Sequence, residues 1–104
     1  MSSSNEGRIH IINALFSTVK IPDALFRDLD MAGARPCSLL LQRAIRHQQD
    51  HEWERCEEVA FKAREFAWEQ LHSGSSWQAV AQVHRDAYGM AGLLLAAAMF
   101  LTDD

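Results

Sequence analysis

Helix-breaking residues are scarce in this sequence, with 2 prolines and 5 glycines in 104 residues. Pro22, Pro36, Gly33 and Gly74 fall between apolar-periodic segments, and no clean strand alternation appears, so a turn-rich β architecture is excluded. Cysteine is nearly absent too. Cys37 and Cys56 are 2 residues, too few for a disulfide framework. Each stands where a small apolar residue would fit a helix face, so both read as buried thiols in a reducing compartment. A basic excess is missing in every third of the chain. Residues 1–36 carry 4 positive and 4 negative charges, residues 37–74 carry 5 and 7, and residues 75–104 carry 1 and 3. Without a cationic footprint, binding to nucleic acid is not expected.

A membrane-length hydrophobic run is also lacking. Residues 90–101, 12 residues, carry no charged or strongly polar side chain, where a spanning helix needs about twenty apolar residues. Extending that stretch backward meets Arg85 and Asp86. The start, MSSSNEGRIHII, has no charged segment followed by an apolar one, as a secretory signal would. Ser2 rather than glycine after the initiator rules out myristoylation. An intracellular soluble protein without membrane attachment is the expectation.

What the chain does have is helical periodicity. Its length suits one domain, residues 1–104, and 48% hydrophobic residues suit a folded core. The spacing predicts four main helices in antiparallel hairpins, an all-α array. The first covers about 6–17, with Ile9, Ile12 and Phe16 on one stripe and Ile11 and Leu15 beside it. Pro22 can open a short helix that turns Ala24, Leu25 and Leu29 inward. Gly33 permits a turn, and Pro36 restarts a helix over 36–49. The next helix, 52–72, carries Trp53, Cys56, Ala60, Ala63 and Ala67 at spacings of three and four, widened by Val59 and Phe66. Gly74 is positioned to end it, and Ser75 or Ser76 to cap a last helix over 77–102. There, Trp77, Val80, Ala81, His84 and Tyr88 form one stripe, and the second half is apolar on every side. Helical hairpins of the 34-residue repeat type offer a comparison, and the chain reads as TPR-like with one such unit.

Two features exceed what one core requires. Phe61 and Trp68, seven residues apart, lie off the main stripe of their helix. The apolar end of the last helix has more surface than one hairpin partner covers, and its cover is expected from the first helix or from protein beyond Asp104. Phe61, Trp68, Leu95, Met99 and Phe100 are therefore the candidate partner-binding residues, since apolar surface beyond core needs marks an interface.

Catalytic constellations do not assemble. His84-Arg85-Asp86 contains the His-x-Asp of an iron site, but on a helix the two side chains point about 200° apart. The same three residues open the kinase catalytic loop, which requires an Asn where Ala91 stands. His47 and His51 have metal-ligand spacing, but a turn is predicted between them. His10 and His72 read as surface or cap residues. The glutamates 52, 54, 57, 58, 65 and 69 alternate with Arg55, Lys62 and Arg64, the pattern of a solvated helix face.

Over residues 36–100 the sequence resembles the helical N-terminal region of Jumonji-C oxygenases of the lysine-specific demethylase 8 and arginyl hydroxylase type. The resemblance rests on Trp68-Glu69, Leu71, the Ser73-Gly74 turn, Trp77, Val80, Arg85, Tyr88 and Leu93-Leu94, with Leu40 to Ala44 and Cys56 extending it upstream. The turn before Trp77 is one residue longer than that family's usual Gly-x-Trp, and His84 replaces an aromatic. The resemblance implies a non-catalytic protein-interaction domain of an Fe(II)/2-oxoglutarate oxygenase, nuclear and with the cytoplasm as a second site. The catalytic domain would lie outside this chain. Its partner would be a chromatin-linked β-propeller of the regulator-of-chromosome-condensation type, or the oxygenase's own catalytic domain. No cofactor is expected within these residues, because the iron and 2-oxoglutarate ligands of such proteins lie in the Jumonji-C domain. The alternative is a free-standing all-α adaptor or dimerisation protein.

Overall fold

The structure, a computed structural model, describes residues 2–18, 23–72 and 78–102, with side chains over 6–16, 23–72 and 82–102. Five helices make up these residues: α1 Ser2–Thr18, α2 Asp23–Met31, α3 Arg35–Gln49, α4 Trp53–Leu71 and α5 Gln78–Thr102. They are the four main helices of the periodicity plus the short one after Pro22. The roles expected of Pro22, Gly74, Ser75, Ser76 and Trp77 lie outside the described residues.

Two connections share one physical design. After α2, Gly33 takes φ 79°, Gly33 N–H donates to Asp30 O at 3.1 Å and Ala34 N–H to Leu29 O at 2.8 Å. That is a Schellman closure, in which a left-handed residue lets two orphan carbonyls find donors. Leu29 and Ala34, the residues it brings together, are both buried. After α3 the pattern repeats with His51 at φ 59°, His51 N–H donating to Gln48 O at 3.2 Å and Glu52 N–H to His47 O at 2.8 Å. A non-glycine residue there is held against its preference. The His51 ring stacks on Trp53 at 5.4 Å between centroids, and the His47 Nδ1–H donates to Glu52 Oε1 at 3.0 Å across the same turn. His47 and His51 therefore serve the turn rather than share a metal.

The core is made largely of small residues. Cys37, Leu41 and Ala44 on α3 meet Cys56, Ala60, Ala63 and Ala67 on α4, which meet Ala87, Ala91, Leu94 and Ala98 on α5. Small side chains let the helix backbones approach closely. The two thiols mark how closely: Cys37 Sγ lies 3.7 Å from Ala63 O on α4, and Cys56 Sγ lies 4.0 Å from Leu94 O on α5. Both are buried and unpaired with each other. Burial pushes both thiols up to about 11, with the Glu57 charge adding to the effect at Cys56. They stay protonated and inert at neutral pH.

α4 packs on both α3 and α5, α3 also touches α5, α2 packs on α3 and α5, and α1 packs on α5. This explains how an all-round apolar helix is covered. One side of α5 faces α4. Another, through Ala97 and Leu101, meets Ile12 of α1, with Ile9, Phe16 and Trp53 around them. The sequence had placed Ile11 and Leu15 beside the buried stripe of α1, but both are exposed. No described helix is long and apolar enough to cross a membrane.

Candidate interaction site

Helices α4 and α5 run antiparallel, and their register is pinned at both ends of one seam. Near the end of α5, Thr102 Oγ1–H donates to Glu57 Oε2 at 3.1 Å. At the other end the Trp68 ring lies 5.7 Å from the Tyr88 ring. Between these points Phe61, Leu95 and Met99 line one groove of about 610 Å³ with Glu54, Glu57, Glu58, Lys62 and Arg64.

The five candidate residues do not share one fate. Phe61 is 49% exposed, Trp68 48% and Met99 51%, and these three lie along the seam. Leu95 is 6% exposed. It packs into the main core and forms the floor of the groove. Phe100 is 42% exposed but faces α1. The Arg8 guanidinium lies 5.3 Å from its ring, and Arg8 Nη1–H donates to its carbonyl at 3.2 Å.

Three residues missed by the sequence reading complete the seam. His72 lies 3.9 Å from Trp68, ring to ring, and its Nδ1 is 2.9 Å from Trp68 O. Arg64 lies 5.9 Å from the Tyr88 ring. The i,i+4 spacings of Arg64, Trp68 and His72 could have revealed the part on α4. Tyr88 required the register of α5 against α4.

The electrostatics of the ridge are acidic. Glu58 pairs with Lys62 at 3.6 Å, and Glu52 with Arg55 at 3.5 Å. The hydrogen bond from His47 holds the Glu52 carboxyl below its ordinary value, helped by Arg55. No cation pairs with Glu54, Glu65 or Glu69 among the described residues. On α5, residues 90–101 carry no charge to offset them.

His84, on the stripe it shares with Tyr88, is buried, and its Nδ1 has no hydrogen-bond partner among the described residues. Burial lowers its pKa below the ordinary value. Arg85 and Asp86 are exposed, and Asp86 accepts a hydrogen bond from Gln82 at 2.9 Å. Among the described residues no three His, Cys, Asp or Glu side chains gather to hold a metal ion.

Comparison with known proteins identifies a family. A family model described as KDM8-like, N-terminal ARM repeats, matches residues 43–104. The matched stretch contains α4 and α5 whole. No curated protein and no solved structure matches.

Proposed function

The chain belongs to the family of KDM8-like N-terminal ARM repeats, and from that premise we propose that it is a non-catalytic protein-interaction domain of an Fe(II)/2-oxoglutarate oxygenase, recruiting a chromatin-linked partner. The family's helical repeats name the kind of array where spacing alone had suggested a 34-residue hairpin. The observation that carries the proposal is the seam itself. Phe61, Trp68 and Met99 stand about half exposed on two helices that the family match covers. Large apolar side chains gathered at one exposed place are characteristic of interfaces, where aromatic and methionine side chains are enriched.

In this reading the iron and 2-oxoglutarate belong to another part of the oxygenase, and the residues here bind and orient. The partner is a β-propeller of the regulator-of-chromosome-condensation type, and the place of action is the nucleus. The test is calorimetric titration of a purified β-propeller of that type into the chain. Binding by the wild type, weakened about tenfold or more by Phe61→Ser with Trp68→Ser, supports the reading, since a central aromatic anchor contributes about 2 kcal/mol or more. Binding unchanged by both substitutions would remove the seam from the interface. No binding by the wild type would remove the β-propeller as partner.

A further inference from the structure

We propose that the α4–α5 seam receives a basic amphipathic helix of a partner protein. Its apolar face would lie on Phe61, Trp68 and Met99, and its lysines or arginines on Glu54, Glu57 and Glu65. The proposal rests on reading the seam as an interaction surface and adds the chemistry of what binds there.

Charge complementarity selects the occupant. On the helical wheel Glu54, Glu57 and Glu65 all fall within about 40° of Phe61, and Trp68 within about 20°. The two basic side chains of the groove are already engaged. Lys62 pairs with Glu58, and Arg64 leans over Tyr88 with its Nε buried. The facing stretch of α5 is uncharged from 90 to 101. What remains is an apolar floor, Leu95, and half-exposed aromatics under carboxylates that no cation pairs with among the described residues. A cationic partner gains attraction there, and its long apolar stems can cover the ring faces. A second copy of the chain would bring the same carboxylates against these, and nucleic acid would bring phosphates.

The geometry selects a helix over a strand. Both walls of the seam are helices, whose backbone donors and acceptors are used internally, so no sheet edge is offered. Phe61 and Trp68 stand two turns apart, about 10 Å along α4. A partner helix can match that with apolar residues at i and i+7.

The experiment uses fluorescein-labelled peptides and the anisotropy they gain on the intact chain. The probes are an amphipathic leucine–lysine helix, its leucine–glutamate counterpart, and a scrambled leucine–lysine peptide of equal composition. The leucine–lysine helix should bind about tenfold or more tightly than the other two, the equivalent of about 1.4 kcal/mol. Phe61→Ser with Trp68→Ser, and separately Glu54→Lys with Glu65→Lys, should each weaken it about tenfold. Reversing Asp28 and Asp30 on α2, both exposed, should change it less than about threefold. Equal binding of the helix and its scramble, or equal loss from the α2 reversal, overturns the proposal in favour of unspecific charge attraction. A chain that self-associates through Phe61 in sedimentation and binds no peptide overturns it in favour of a second copy. A chain that binds the peptide but no β-propeller leaves this proposal standing and removes only the partner named above. β-Propeller binding that survives Glu54→Lys with Glu65→Lys does the reverse.

Discussion

The two faces of α4 invert the usual distribution of size. Its inner face holds Cys56, Ala60, Ala63 and Ala67, all fully buried and all small. Its outer face holds Phe61 and Trp68, the larger side chains, each about half exposed. Burial of a large apolar side chain stabilises by roughly 1.5–3 kcal/mol, so a helix serving stability alone would turn Phe61 and Trp68 inward. Here the interior is used for close approach of three helices, as the Cys37 and Cys56 contacts with facing carbonyls show. The apolar bulk left outside is available to another molecule. Inner residues should therefore govern stability and outer residues binding.

Four measurements would break or sharpen that contrast. The largest effect belongs to Leu94, one of the few large side chains fully buried in the α4–α5 contact. Leu94→Ala should lower unfolding free energy by about 3 kcal/mol in urea titration, through lost transfer and a residual cavity. Next is Ala63→Leu, which forces a larger group where α3 and α4 nearly touch. About 2 kcal/mol of destabilisation is expected. A stability change near zero would mean that the inner face is loosely packed, and the size inversion would lose its explanation.

His84 tests the interior differently. Its pKa is lowered in the folded chain by burial, so the unfolded chain binds the proton more readily. The stability it permits is complete above its unfolded value, about 6.5, and should fall as pH drops below that. Thermal unfolding between pH 7.5 and 5 should show this slope in the wild type and a flatter one in His84→Leu. An unchanged slope would place the pH response elsewhere. Glu52 does not mimic it. Its carboxyl is lowered by the His47 hydrogen bond, so its contribution is lost only as pH falls below the ordinary glutamate range, about 4.3. The smallest effect is Phe61→Ser, expected to change stability by no more than about 0.5 kcal/mol. A loss as large as that of Leu94→Ala would show that Phe61 is a core residue after all.

Much of the fold was legible because helix periodicity carries a phase. The stripes Cys37–Leu41–Ala44 and Cys56–Ala60–Ala63–Ala67 each have polar neighbours opposite, so the buried side could be read directly. The exposed pair Phe61 and Trp68 was legible for the same reason. The end of α5 was not. Residues 90–101 are apolar all round, so their pattern has no phase, and nothing in it distinguishes Leu95 from Met99. His84 was legible on the stripe it shares with Tyr88, since its neighbours in sequence, Arg85 and Asp86, point elsewhere on the helix. His51 gave no warning of its left-handed backbone, which glycine usually supplies.

By itself the sequence determined the helices, their order, the small-residue stripes and the acidic ridge, since each follows from local spacing and side-chain chemistry. Only the tertiary structure decided which face of α5 is covered, that Leu95 is floor and Met99 is rim, and that Tyr88 meets Trp68. Those outcomes depend on the register between α4 and α5 and on where α1 docks. Both are set by contacts between residues far apart in the chain, and no local pattern encodes them.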